Sequence, residues 1–224
     1  MSTAFEVWPT SSAVPTFRDV IELAEKRLSD RLKEIRINEG IRIRAWLRDE
    51  KPDGRATEIC LNDPFLWTEN QYVWFNISSV PGGTDAYCRR VGDDDIQMWK
   101  EEAESNPNAR IKDRLVLIRE CFRAGRYWVF RRSASQPAIV NLGYGLVAAA
   151  VAELTDGFII SWDSAWDFER FPANAQEFRR VYFRPDQAID SGHRQWAEQC
   201  LERLQDDLRR GQRKRNLLRF FGST

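Results

Sequence analysis

Clustered carboxylates beside a tryptophan are the side chains of this sequence best placed for chemistry or recognition. The densest cluster occupies residues 93–104 and comprises Asp93, Asp94, Asp95, Trp99, Glu101, Glu102 and Glu104, with Lys100 as the only basic residue. Acid–base catalysis or a metal site needs carboxylates that converge from fixed elements, whereas a charge run is commonly a solvated face. The acidic run at residues 93–104 fits either a solvated face or a patch that docks on a basic partner. We assign the partner-binding role to these seven residues and expect no metal.

A second pair of carboxylates flanks a tryptophan after an apolar run. Asp163 and Asp167 stand on either side of Trp166, just after residues 158–162. Carboxylates at the end of a strand can share acid–base work when burial separates their pKa values. They can equally cap the following turns and orient the tryptophans. We take Asp163, Trp166 and Asp167 as the second choice for a partner-binding surface.

Catalytic residue types are scarce in this chain. His193 is the only histidine, so any serine or cysteine triad and any histidine-dependent metal site would rely on it alone. The sequence has no nucleophile-elbow, zinc-protease or P-loop motif and no zinc-ligand spacing. We predict a protein that is not an enzyme and has no catalytic residues. His193 is expected to be a partly exposed structural residue at the start of the last helix.

One pattern is typical of dinucleotide-binding proteins. Gly143, Gly145 and Ala148 match a loose G-x-G-x-x-A, which in those proteins lies between a strand and a helix. Here Pro137 starts a helix more naturally than a first strand, and only 79 residues follow Gly145. The pattern therefore favours close helix packing through small residues, and we expect no cofactor.

The chain ends in a basic segment without an acidic residue after Asp207. Its basic residues are Arg209, Arg210, Arg213, Lys214, Arg215 and Arg219. Such a run can bind phosphate backbones or a membrane surface, but it is more often solvated. We predict one domain over residues 1–208 and a basic tail over residues 209–224, with neither membrane binding nor direct nucleic-acid binding.

Periodicity predicts the elements that hold these residues. Helical spacing over residues 17–35, capped at Thr16, predicts an amphipathic helix, and alternation predicts a strand at 41–48 and a hairpin between 72–80 and 84–91. The later elements are expected to be a helix up to a Gly125 cap, a strand at 127–130, a helix from Pro137 to Gly157, a strand at 158–162, and a closing helix with Trp196, Cys200, Leu201, Leu204 and Leu208 on one face. This order predicts a single-domain α+β fold, a partly antiparallel sheet with flanking helices.

Composition indicates a globular protein. The 224 residues include 34 basic and 34 acidic side chains and 42% apolar residues, with a mean hydropathy of −0.55. This profile disfavours disorder and membrane spans, and the balanced charge gives no overall attraction to nucleic acid or lipid. The N terminus lacks a secretory pattern, and the four separated cysteines indicate reduced thiols. We therefore expect a cytoplasmic protein.

Tryptophan is unusually frequent. The nine tryptophans stand at positions 8, 46, 67, 74, 99, 128, 162, 166 and 196. Because tryptophan, tyrosine and arginine dominate the energetics of protein interfaces, several of these are expected at the surface. The alternative is that they fill a wide α+β core.

The second half of the chain resembles bacterial immunity proteins of polymorphic toxin systems. The similarity rests on the small-residue segment 143–157, which ends in Thr-Asp-Gly, on the strand and acidic aromatic turn at 158–167, and on Phe171-Pro172-Ala173. It extends over roughly residues 110–208, with a looser similarity in the N-terminal helix and hairpin. The resemblance implies a small cytoplasmic α+β protein that neutralises a cognate toxin domain delivered by a contact-dependent or type VI secretion system.

Residue types and resemblance together predict stoichiometric inhibition of a secreted toxin through protein–protein contact. If that toxin is a nuclease, its basic cleft would be met by the carboxylates of residues 93–104. The alternatives are another protein-interaction or chaperone-like adaptor role and, less favoured, a dinucleotide-binding enzyme.

Overall fold

A single antiparallel sheet forms the centre of the molecule. The computed structural model describes residues 2–51, 56–77 and 80–221, with side chains up to Arg210 except that of Leu115. Within these residues the strands are β1 (Thr3–Trp8), β2 (Ile43–Asp49), β3 (Thr57–Glu58), β4 (Gln71–Ile77), β5 (Thr84–Arg90), β6 (Arg126–Arg132), β7 (Phe158–Ile160) and β8 (Ala173–Asn174). The α-helices of the same residues are α1 (Phe17–Glu34), α2 (Asp93–Ser105), α3 (Ala109–Asp113), α4 (Leu115–Ala124), α5 (Ala138–Leu154), α6 (Ala175–Val181) and α7 (Ser191–Phe221).

The strand order is β3-β2-β4-β5-β6-β1-β7-β8, and every neighbouring pair is antiparallel. The predicted single α+β domain is confirmed, and so is the β4–β5 hairpin. Strand β1, which periodicity did not predict, lies between β6 and β7. The N-terminal segment is therefore part of the sheet and pairs with distant parts of the chain.

Helices α1, α5, α6 and α7 form the layer on one side of the sheet, with α5 at its centre. Residues 138–152 of α5 are all buried. A Cβ atom at Gly143 would collide with the side chain of Ile77, and one at Gly145 would collide with the ring of Tyr182. These glycines lie inside the helix and not between a strand and a helix. Their position supports the prediction of close packing over the dinucleotide-binding alternative.

The opposite side of the sheet, which we call the outer face, has two halves. Over the covered half, formed by the outward side chains of β1, β7 and the start of β6, lies α2, whose Trp99 ring contacts those of Trp8 and Phe158. The open half consists of the outward side chains of β2, β4 and β5. Within the residues that the structure describes, the ring and cation–π contacts on this half are with other residues of the same face or with Arg131 of β6.

Several elements differ from the sequence prediction. Residues 93–105 form a helix where only a polar stretch was expected, and the helical spacing before Gly125 is divided between α3 and α4. The predicted basic tail continues α7 as far as Phe221, and residues 222–224 lie outside the described residues. The cysteines are free, with three buried and Cys60 exposed, as expected. No helix in the described part of the chain has the length and apolarity needed to cross a bilayer.

Candidate functional site

The acidic run lies along α2, and part of it faces solvent. Its exposed carboxylates are Asp93, Asp94, Glu101 and Glu104. Asp93 and Asp94 belong to the first turn, where negative charge interacts favourably with the helix dipole. These four carboxylates are available to a partner, but they do not converge on a common point. Among the described residues, no group of three or more histidine, cysteine, aspartate or glutamate side chains is arranged to hold a metal ion.

The other two carboxylates of the run stabilise α2 itself. The backbone N–H of Gly92 donates to Asp95 Oδ2 at 2.8 Å, and the Tyr127 hydroxyl lies 3.1 Å from Asp95 Oδ1. Burial raises the pKa of Tyr127, and the charge of Asp95 adds to that effect. Glu102 accepts a hydrogen bond from Asn106 at 2.6 Å. Asp95 therefore ties the first turn of α2 to strand β6.

Trp99 is not the exposed anchor that the sequence suggested. Its side chain is 1% exposed and contacts the rings of Trp8, Phe158 and Trp162 at centroid distances of 5.6, 5.8 and 5.0 Å. Ala103, one helical turn later, is also buried, as expected for residues four positions apart on one helix face. The assignment of Trp99 to a partner surface is wrong, because α2 uses this ring to pack against the sheet.

Two of the three residues in the second predicted surface are also unavailable. Trp166 is 0% exposed and Asp167 is 1% exposed. The Asp167 carboxylate accepts from the backbone N–H groups of Ile189 and Asp190 at 2.8 and 3.0 Å. Asp163 is exposed, and it accepts from the backbone N–H of Ala4 at 3.0 Å. The capping interpretation fits this turn, whose carboxylates fasten the segment ahead of α7 and the start of β1.

His193 is engaged by the same turn. Its Nδ1 lies 2.9 Å from Asp167 Oδ1, and its Nε2 lies 3.1 Å from the carbonyl oxygen of Ser164. The ring stacks on Trp166 at 5.4 Å, and the side chain is 20% exposed. Both ring nitrogens face acceptors of the protein, so this geometry is that of a structural histidine.

The open half brings together aromatic and arginine side chains that the sequence analysis did not assign to a site. Its outward residues are Arg44, Trp46 and Arg48 on β2, Tyr72, Trp74 and Asn76 on β4, and Asp85, Tyr87 and Arg89 on β5. In one row across the strands, Trp46 is opposite Trp74, Trp74 is opposite Asp85, and Asp85 is opposite Arg131. Both tryptophans stay partly exposed. Sequence positions far apart thus form one continuous surface.

Arginines lie over two of the four aromatic rings of the open half. The rings of Tyr72 and Tyr87 stack at 5.8 Å. The guanidinium group of Arg48 lies 5.5 Å from the ring centre of Trp74, and those of Arg89 and Arg131 lie 5.1 and 5.4 Å from that of Tyr87. Arginine above an aromatic ring is an attractive cation–π geometry. The rings of Tyr72, Trp74 and Tyr87 are therefore pre-organised although no described helix lies over them.

The arginines of this surface fall into two groups. Arg131 pairs with Asp85 at 2.7 Å, which raises the pKa of Arg131 through that hydrogen bond, and Arg89 lies 3.7 Å from a carboxylate oxygen of Glu50. Neither Arg44 nor Arg48 has a carboxylate within 4.0 Å in the part of the chain that the structure describes. The β2 side of the open half therefore presents two positive charges without a carboxylate partner.

One signal in the sequence could have identified the open half. A strand with one solvated face normally carries polar residues on that face, but β2 and β4 place tryptophan or tyrosine on their outward faces as well as apolar residues on their inward faces. Comparison with known protein families, curated protein sequences and solved structures found no match to this chain.

Proposed function

We propose that this chain is an immunity protein, which binds a cognate secreted bacterial toxin one to one and neutralises it in the cytoplasm of the producing cell. The observation that supports this proposal most is the open half of the outer face. Its partly exposed tryptophans, tyrosines and arginines are the residue types that supply most of the binding energy in protein interfaces. Such residues on an uncovered sheet are well suited to a partner protein.

The size of the open half indicates how far the interface extends. Strands about 4.8 Å apart and about 20 Å long give this surface dimensions of roughly 15 by 20 Å. One side of a standard interface buries about 800 Å², so the contact would continue onto neighbouring elements. The first turn of α2 is adjacent, because Asp95 contacts Tyr127, which is paired with Arg89. Asp93 and Asp94 would then lie at the rim, with Trp46 and Trp74 at the centre.

Single-stranded nucleic acid is a second candidate ligand, since sheets with exposed aromatic and arginine side chains also bind unstacked bases. Three observations favour a protein. The Tyr72 and Tyr87 rings stack on each other, arginines already lie over two of the rings, and Asp85 and Glu50 neutralise two of those arginines. A surface with carboxylates among its arginines selects a protein of matching charge pattern more readily than a phosphate backbone.

The proposal is tested with the full chain and a secreted toxin domain encoded beside its own gene, which the proposal requires. We expect a one-to-one complex in isothermal titration calorimetry and restored growth when the two are co-expressed. Trp46→Ala combined with Trp74→Ala should abolish the rescue. Val116→Ala, at an exposed apolar position on α4, is the control and should retain it. Absence of both binding and rescue with the parent chain would overturn the proposal.

A further inference from the structure

The covered half shows which kind of segment the outer face accepts. Helix α2 lies on it with Trp99 and Ala103 turned inward, and Asp95 lies within hydrogen-bond distance of a tyrosine of β6. Its other carboxylates remain at or near the solvent. Strands β5 and β6 pair directly, so the two halves are one continuous surface. An acidic amphipathic helix is thus already the partner of the neighbouring half.

The spacing of the strands leaves room for one more helix. Strand β4 is three strands away from β1 in the sheet, which corresponds to about 14 Å at about 4.8 Å per strand. Helices in contact have axes about 8–10 Å apart. A second helix can therefore lie over β4 and the neighbouring β2 without overlapping α2.

Charge defines the chemistry of that second helix. Arg44 is exposed, Arg48 is partly exposed, and neither has a carboxylate partner among the described residues. Between them on β2 is Trp46, which is opposite Trp74. Arginine forms paired, charge-assisted hydrogen bonds with carboxylates. The two positive charges and the two rings match a segment that carries both carboxylates and apolar side chains.

We propose that the open half binds an acidic amphipathic helix of the partner protein, placed beside α2. Carboxylates of that helix pair with Arg44 and Arg48, and its apolar side chains pack on Trp46 and Trp74. This inference rests on the proposed function, because it takes the toxin as the protein that supplies the helix.

The test is a charge reversal within the full chain. Arg44→Glu combined with Arg48→Glu should weaken binding of the neighbouring toxin domain by at least about 30-fold, since repulsion replaces two charge-assisted contacts. The control is Arg180→Glu, an exposed arginine on α6 in the opposite layer, which should change the affinity by less than about 2-fold. The milder pair Arg44→Gln and Arg48→Gln should give an intermediate loss if the reversal disturbs folding in circular dichroism. Reversing the carboxylates of the toxin helix to lysine should restore affinity for the double glutamate variant.

The possible outcomes separate the two proposals. If the parent chain does not bind the toxin domain, the proposed function is overturned. If the parent binds and the double variant binds equally well, the helix inference alone is overturned. If the isolated chain sediments as a dimer and the double variant sediments as a monomer, the occupant of the open half is a second copy of the chain. Binding of a thymidine oligonucleotide that the double variant abolishes would identify single-stranded nucleic acid. Either result would also overturn the inference.

Discussion

The covered and open halves of the outer face contain the same kinds of aromatic side chain in opposite environments. In the covered half, Trp8 and Trp99 are buried and cross edge to face at 5.6 Å. In the open half, Trp46 and Trp74 are neighbours across two strands and remain partly exposed. The difference comes from α2, which lies over one half only, together with Phe122 of α4, whose ring also contacts Trp8. Residue type therefore does not decide whether a tryptophan is core or surface.

The two halves also differ in whether their polar groups have partners within the protein. Under α2, Glu6 Oε2 accepts hydrogen bonds from the indole N–H groups of Trp8 and Trp162 at 2.9 and 3.2 Å. Burial raises the pKa of Glu6, although the two indole donors act against that effect. In the open half, neither Arg44 nor Arg48 has a carboxylate partner among the described residues. In the covered half a buried carboxylate is matched by two indole donors, whereas the open half leaves charge available to a ligand.

The largest expected effect is a difference in stability between matched tryptophan substitutions. Trp99→Ala should lower the free energy of unfolding by about 3–5 kcal/mol, because the change removes a fully buried ring. Trp46→Ala should lower it by only about 1 kcal/mol, because that ring is partly solvated. Urea denaturation followed by circular dichroism measures both. Equal losses would mean that the open half is packed as tightly as the covered half.

A smaller effect separates the aspartates of the first turn of α2. Asp95→Ala should destabilise the fold by about 1–2 kcal/mol, since it removes the hydrogen bonds to Gly92 and Tyr127. Changing the exposed Asp93 and Asp94 to Asn should cost little stability but should slow association with the toxin and reduce its salt dependence. Surface binding kinetics at low and moderate salt test the second part. An unchanged rate at both salt concentrations would place this turn outside the interface.

The smallest expected effect is a pH dependence in the covered half. The pKa of Glu6 is raised above its ordinary value of 4.5 by burial, so the folded chain binds this proton more tightly than the unfolded chain. The stability of the parent should therefore fall as the pH rises from 4.5 through the raised pKa. Glu6→Gln keeps an oxygen acceptor for the indoles and does not ionise. The stability of the variant relative to the parent should therefore increase at pH values above that range. Urea midpoints that follow parallel curves with pH would contradict this assignment.

Elements with local signals were predictable from the sequence. The hydroxyl of Thr16 accepts from the backbone N–H of Asp19 at 3.2 Å and begins α1 where the pattern placed it. Gly125, with a φ of 69°, ends α4 as expected. Strand β1 was missed because its partners, which include Arg132 and Ile160, are far along the chain. Helix α2 was missed because its carboxylates obscure the helical spacing of Trp99 and Ala103.

The candidate site was less predictable than the fold. The surplus of tryptophans is evident in the sequence, but the predicted anchors, Trp99 and Trp166, are both buried. Their carboxylate neighbours suggested exposure, yet Asp95 and Asp167 serve as hydrogen-bond acceptors within the fold. Which tryptophans stay accessible depends on where α2 packs, and that is a tertiary contact without a local signal.

Hydroxyl-radical footprinting of the full chain, alone and with the toxin domain, tests the central claim most directly, because tryptophan and tyrosine are oxidised where solvent reaches them. In the free chain, Trp46, Tyr72 and Trp74 should be oxidised, while Trp8 and Trp99 should not. In the complex, the first three should become protected, because the open half is then covered by the partner. Unchanged oxidation of Trp46 and Trp74, with protection appearing on α6 or α7 instead, would contradict the assignment of the open half as the binding surface.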